Sequence, residues 1–225
     1  MTPRFDIHTH GVEIKENLIP HDLIQAVIAE MDASDKKLPK HGIRNAEKKF
    51  SSVLNVVTHK ELVNEARNIL GKEPQIVRVI FFDKTPDKNW LVTWHQDKTV
   101  ALNDRKGIEG WGPWTLKDKT HHVQPPRSVL NQMVTFRVHL DPAGNNNGCL
   151  KIIPCSHERG ILKQSEINEI VKNTEPVFCV VKSGDTVVMR PHILHSSSKS
   201  ITSEHRRVIH IEFSSYELPN GISWA

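Results

Sequence analysis

The stretch VTWHQDKT ends a β-prone run, Val92-Thr93-Trp94, in a histidine and a carboxylate, His95 and Asp97. On a strand, residues i and i+2 leave the same face. The imidazole and the carboxylate therefore stand side by side, and Gln96 points the other way. Two histidines and one carboxylate, with the remaining positions open, are the ligand set of non-haem Fe(II) oxygenases. His95 and Asp97 supply two of the three. The second histidine has to come from elsewhere in the chain. With 14 histidines, chance pairings are easy, and His-x-Asp spacing carries little weight by itself. A polar strand end at the surface is the plain alternative.

The C-terminal stretch MRPHILHSSSKSITSEHRRVIHIEF adds what is missing. His195 closes one strand, a polar loop follows, and Arg206 opens the next strand 11 positions on. Paired as a hairpin, these strands turn His195 and Arg206 toward one cavity. A guanidinium holds a carboxylate through two parallel hydrogen bonds, which suits an acidic co-substrate lying between it and a metal. Arg207 is the rival. Strand alternation groups Arg207 with Ile209, Ile211 and Phe213, an apolar face. It groups Arg206 with Val208, His210 and Glu212, a mixed face suited to a cavity.

Such side chains need a framework of strands. The 225 residues suffice for one domain with its own core. In the first third, NLIPHDLIQAVIAEM places Leu23, Ile24, Val27, Ile28 and Met31 at helical spacing after Pro20. A second helix is expected near 45–56. A third has Thr58 and Glu61 at capping-box spacing, a stripe of Leu62, Ala66, Ile69 and Leu70, and Gly71 as its stop. Residues 5–14 alternate loosely and read as an edge strand.

Beyond Pro74 the chain turns β-branched and aromatic: QIVRVIFFD, WLVTWH, VLNQMVTFRVHLD, GCLKIIP, EPVFCVV, DTVVMR and RRVIHIEFSS, separated by turns such as PAGNNNG and KSGD. NNNGC supplies the positive-φ residues of a hairpin. One short helix, near 165–173 with Ser165 as cap, interrupts the strands. Helices followed by many strands predict a mainly β fold with flanking helices, a jelly roll. The reading is one domain over 1–225, with a helical layer at about 15–72 and a jelly-roll core at about 75–215. The segment 98–128 is long and polar and carries Trp111 and Trp114. It reads as a lid loop.

Net charge is +4, with 25% charged residues of both signs interleaved. No basic stripe or nucleic-acid motif is visible, so a small-molecule substrate is expected and nucleic acid is not. No run of about 18 apolar residues exists, so no membrane span is expected. Cys149, Cys155 and Cys179 are odd in number and lack CxxC spacing, as reduced thiols of a cytoplasmic protein would. The start, MTPRFDIHTHG, has neither an h-region nor a small-residue cleavage site. Nothing in the sequence sets an oligomeric state.

WHQD, then NNNGCLKIIPCSHERG, then HSSSKSITSEHRR, in this order and with His95 and His195 a hundred residues apart, resemble the phytanoyl-CoA dioxygenase-like family of Fe(II)/2-oxoglutarate oxygenases. The resemblance covers roughly residues 76–213. It implies a double-stranded β-helix, a form of jelly roll. It makes His95, Asp97 and His195 the Fe(II) ligands, with 2-oxoglutarate and O2 as co-substrates. Arg206 becomes the anchor for the far carboxylate of 2-oxoglutarate, Ser197 a second contact to it, and Gln96, beside the metal ligands, a further cofactor-binding residue. Some relatives line the cofactor pocket with tryptophan where this chain has Arg137. With Arg78 on QIVRVIFFD, that puts two extra cations near the metal. They either grip 2-oxoglutarate or favour an acidic substrate, unless each simply pairs with a carboxylate. Related halogenases keep a small residue where Asp97 stands, so hydroxylation is implied. The surplus cations and the 98–128 segment lean toward a small polar or acidic metabolite rather than a long acyl-CoA.

Two other readings compete. A cupin-like metal-binding module without catalysis keeps the histidines and does not need Arg206. FDIHTHG has the HxH spacing of zinc amidohydrolases, through His8 and His10, but the (β/α)8 barrel of that family needs about 250 residues and βα alternation, which this chain lacks. Trp90, Trp94, Trp111 and Trp114 are divided between a substrate mouth and core packing.

Overall fold

The computed structural model describes residues 5–34, 42–85, 87–202 and 204–225; residues 1–4 of the N-terminal stretch lie outside them. The first part comprises β1 (Val12–Lys15), α1 (His21–Ala33), β2 (Ile43–Arg44), α2 (Ser51–Val57) and α3 (Lys60–Leu70). Strands then dominate: β3 (Gln75–Lys84), β4 (Val92–His95), β5 (Val100–Leu102), β6 (Trp114–Lys117) and β7 (Thr120–Val123). After the single turn α4 (Arg127–Leu130) come β8 (Met133–His139) and β9 (Leu150–Ile153). Last are α5 (Gln164–Asn173), β10 (Val177–Cys179), β11 (Thr186–Met189), β12 (Leu194–Ser197) and β13 (Arg206–Ser214).

Two antiparallel sheets form the jelly roll. The larger has the order β1-β11-β8-β13-β3-β2 and the smaller β10-β9-β12-β4. Alternation along the large sheet separates its faces. Val79, Phe81, Val134, Phe136, Val138, Ile209, Ile211 and Phe213 point outward into one cluster with Ile24, Val27, Val53, Val56, Leu62 and Ala66 of α1 to α3. Burying each such aliphatic or aromatic side chain stabilises by about 1.5–3 kcal/mol. None of these three helices has a side-chain bond at its N-cap. Packing of their apolar stripes, rather than capping, holds the layer. The inward face, one residue out of phase with the first, carries Arg78, Lys84, Arg137, Arg206, His210 and Glu212. Between the sheets, Val187 and Met189 pack on Leu150, Ile152 and Cys179. Among the described residues no helix is long and apolar enough to cross a membrane.

Several local expectations are corrected. Of residues 5–14 only the end joins a strand, β1; residues 7–10 form a turn in which His10 N–H donates to Asp6 O at 2.8 Å. The expected helix near 45–56 is a 3-10 turn, Ala46–Lys48, followed by α2. Thr58 does not cap α3: its hydroxyl bonds back to Leu54 O at 2.8 Å, and His59 takes the N-cap position. Gly71 ends α3 at φ 69°, a left-handed conformation that suits glycine. Lys163, not Ser165, precedes α5, and its N–H donates to the Glu166 carboxylate at 2.7 Å.

NNNGC is not a hairpin, because β8 and β9 belong to different sheets. Gly148 alone in it has positive φ, 73°, and a Cβ there would meet Ser198 O at 2.4 Å. The segment 98–128 is not a loop: β5, β7 and β6 form a third sheet. Trp111 and Trp114 pack there on Val100, Leu102 and Val123. The C-terminal residues are tied to it, with Asn103 N–H donating to Ser223 O at 3.0 Å and a bridge between Leu102 and Trp224.

Candidate active site

β4 and β12 are neighbours in the small sheet, and His95 and His195 are direct partners across them. Their rings lie 4.2 Å apart between centroids. Each ring is oriented by its own strand. The His95 Nδ1–H donates to Thr93 O at 2.8 Å and the His195 Nδ1–H to Ile193 O at 2.9 Å. A backbone acceptor on Nδ1 leaves the Nε2 lone pair free, the tautomer a metal needs. Just past β4, Asp97 is held by its N–H, which donates to Pro191 O at 2.9 Å. Its Oδ1 lies 3.6 Å from His95 Nε2 and its Oδ2 3.5 Å from His195 Nε2.

Those separations exceed a hydrogen bond, yet all three donor atoms lie within 4.8 Å of one another. The Asp97 separations of 3.6 and 3.5 Å fall within the span of two ligand bonds of about 2.0–2.2 Å. Electrostatics agree. Burial, with His95 beside it, pushes the His195 imidazole down to about 3, so it stays neutral at ordinary pH. Burial works against the Asp97 carboxylate, but the His195 and His95 imidazoles hold it well below the usual carboxylate range.

The large sheet supplies the opposite wall of a cavity of about 210 Å³ that contains the three donors. Arg206 lines it, 2% exposed, with its Nε and Nη1 unpartnered. β12 and β13 are not a hairpin, as they lie in different sheets. His195 and Arg206 reach the same cavity because the sheets face each other across it. Arg207 points out of the sheet and is spent: it bonds Asp141 at 2.8 Å and Asp32 at 3.0 Å.

Arg78, Arg137 and Ser197 also line the cavity. Arg78 is paired with the Glu212 carboxylate. Arg137 finds no carboxylate among the described residues. Its Nη1 donates to His210 Nδ1 at 3.0 Å, so His210 must donate from Nε2 to Glu212 Oε1, also 3.0 Å away. Asp97, His210 and Glu212 form a second close group, but Glu212 is already committed to Arg78 and His210.

One sequence expectation fails here. Gln96 does not face the cavity. Its amide donates to Gly160 O and His192 O, both at 2.7 Å, and its carbonyl accepts from Leu162 N–H at 2.8 Å. Every polar position is used by backbone, so Gln96 staples the loops around the site rather than touching a cofactor. His8 and His10 lie in the surface turn, where His10 Nδ1 accepts from Asp6 N–H at 3.1 Å, and neither joins a metal-ligating group among the described residues. Of the tryptophans weighed for a substrate mouth, only Trp90 lines the cavity.

Lys84 is the residue the sequence reading missed. It is fully buried and sits directly across the ladder from Arg206. Its place two residues after Phe82, in phase with Arg78, was the available signal.

The sequence pattern of the family described as Phytanoyl-CoA dioxygenase (PhyH) matches residues 8–208. Phytanoyl-CoA dioxygenase 1 of Oryza sativa subsp. japonica is 26% identical over 152 residues, 62% of this chain and 45% of that protein; the matched stretch therefore spans less than half of that relative. Among solved structures, AviO1 from Streptomyces viridochromogenes Tue57 superposes with a TM-score of 0.70 at 20% identity, covering 95% of this chain and 93% of that one. HygX from Streptomyces hygroscopicus, solved with nickel and 2-oxoglutarate bound, gives a TM-score of 0.66 at 13% identity, covering 92% and 83%. These likenesses carry the double-stranded β-helix fold, and the sequence match carries the family. The chain belongs to the phytanoyl-CoA dioxygenase (PhyH) family of Fe(II)/2-oxoglutarate-dependent oxygenases.

Proposed function

We propose that the protein is a cytoplasmic dioxygenase that hydroxylates a small polar or acidic metabolite while converting 2-oxoglutarate to succinate and CO2. One observation carries this reading. The His95, Asp97 and His195 donors share a cavity with the buried, unpartnered guanidinium of Arg206. A metal-binding module has no need of that second feature.

Bound Fe(II) with 2-oxoglutarate supplies the oxidising chemistry, in which one atom of O2 goes to a substrate C–H bond as hydroxyl and the other to succinate. The chain's own residues do the rest. His95 and His195 present Nε2 atoms and Asp97 presents an oxygen to the metal. With Asp97 in place there is no vacancy for a halide. Arg206 receives the far carboxylate of 2-oxoglutarate, and Ser197 reaches the same group by turning its hydroxyl away from Gly148 O, where it donates at 2.7 Å. Ile80, Phe82 and Leu150 line the cavity with apolar surface that limits water.

Two features support the substrate class. The cavity, about 210 Å³, is smaller than the roughly 300–1,000 Å³ of drug-sized sites. Arg137 keeps a buried guanidinium without a carboxylate, and burying such a charge is costly unless a ligand offsets it. Interleaved surface charge supports a small molecule, not nucleic acid, as partner.

The test is succinate formation by Fe(II)-loaded protein supplied with air, screened over carboxylic acids and their matched amides. Acids are expected to stimulate turnover more than their amides. Metal binding with no 2-oxoglutarate affinity would instead leave the cupin-like module standing.

A further inference from the structure

Lys84 ends β3 with no accessible surface and no salt-bridge partner among the described residues. It is the cross-strand partner of Arg206. Its Nζ donates to Ser197 Oγ at 2.9 Å and to Ser198 O at 2.8 Å, and it lies 5.4 Å from the centre of the Trp90 ring. Ser197 lines the cavity in front of it. We infer that Lys84 is a positioning residue for 2-oxoglutarate: a second buried cation, set behind Ser197, that selects a keto acid with a far carboxylate. The inference rests on the 2-oxoglutarate reading of the cavity and extends it to a residue with no assigned part.

Three observations converge. A lysine normally extends its ammonium to water, and this one is sealed inside a sheet. Removing water from an ammonium without supplying an anion is costly, so an anion arriving nearby gains more from Lys84 than from an exposed cation. The hydrogen bonds also connect it to the seat. Ser197 accepts from Lys84 and gives its own proton to Gly148 O at 2.7 Å. When a carboxylate takes that proton instead, Lys84 still holds the serine oxygen in place. Finally, burial, with Arg206 and Arg137 nearby, pushes Lys84 down to about 7. That is the mark of a corner with too much positive charge and no anion.

The other clusters carry less. The group formed by Asp97, His210 and Glu212 belongs to the site already described, and the exposed apolar side chains Leu91, Leu116 and Ile201 come with nothing that says what covers them.

Lys84→Gln keeps an amide that can donate to Ser197 and Ser198 but removes the charge; Lys84→Met removes both. Calorimetric binding of 2-oxoglutarate and of 2-oxopentanoate, which lacks the far carboxylate, is measured under argon on the Fe(II)-loaded protein and both variants. Melting curves confirm folding. Both variants are expected to bind 2-oxoglutarate at least tenfold more weakly and 2-oxopentanoate within twofold of the unaltered protein. A purely structural role predicts that Lys84→Gln is harmless and that Lys84→Met weakens both acids alike; either result overturns the inference. If the unaltered protein itself does not prefer 2-oxoglutarate to 2-oxopentanoate, the underlying reading fails and this inference goes with it.

Discussion

His95 and His195 face each other across a single antiparallel strand pair, His95 partly open to solvent and His195 closed off, with side chains 37% and 3% exposed. The same ladder that pairs their backbones sets the spacing of their Nε2 atoms around Asp97. Replacing His195 by alanine is therefore expected to leave the strand pair intact and cost at least ~100-fold in Fe(II) affinity, beyond the usual effect of losing an outer partner. Retained tight binding in His195→Ala, measured by metal titration, would remove the triad.

The difference between the two rings sets a pH dependence. Burial opposes charging of His95, but the Asp97 carboxylate and the Thr93 carbonyl outweigh it and raise its pKa. His195 is pushed down to about 3. A metal needs both rings neutral, so protons compete at His95 alone until strongly acid pH. Competition therefore sets in above the ordinary histidine value, and below the raised pKa of His95 metal affinity is expected to fall about tenfold per pH unit. A hundredfold fall per unit, from two competing protons, would contradict the geometry.

Arg206 and Arg207 are adjacent and should fail in opposite ways. Arg207→Ala breaks a largely buried pair with Asp141 and is expected to cost about 3 kcal/mol of stability, with a Tm several degrees lower. Arg206→Met removes an unpaired buried charge. Its Tm should hold or rise, while 2-oxoglutarate affinity drops at least tenfold with Fe(II) still bound. Calorimetry beside thermal melts reads both.

Gln96→Leu leaves Gly160 O, His192 O and Leu162 N–H without their partner. At about 1–3 kcal/mol for each unsatisfied buried group, urea unfolding should show a loss of several kcal/mol. Binding of 2-oxoglutarate to metal-saturated protein should change less than threefold. A large, selective loss of 2-oxoglutarate affinity would restore Gln96 to the cofactor.

Lys84 makes the empty protein sensitive to alkali in an unusual direction. Its pKa is lowered by burial and by Arg206 and Arg137 to about 7, against about 10.4 for an unfolded lysine. Between those values the unfolded chain holds the extra proton. Stability from this group therefore rises as pH climbs through 7 and is absent below it. Lys84→Met should flatten that slope in melts from pH 6 to 9.

Much of the site was legible because period two is a short-range rule. It puts His95 with Asp97 and separates Arg206 from Arg207 on sequence spacing alone. What it could not supply is which sheet a strand joins. β12 and β13 follow each other in sequence yet lie on opposite walls, as do β8 and β9, and no local signal distinguishes that from a hairpin. Gln96 was misassigned for a related reason: its partners sit 64 and 96 residues away, beyond any motif. Lys84 looked like an ordinary strand-end lysine, and only its alignment with Arg206 seals it from water. The helix starts were misjudged at Thr58 and Ser165, where capping types are present but packing chose other boundaries.

The sheet of β5, β7 and β6 has a final implication. Thr99 and Lys117, at its margins, border the cavity. We expect the ladder bonds and the stitched C-terminal residues to make this wall behave as a unit, so that passage into the cavity is set by the position of a whole sheet rather than by the peeling away of one free strand.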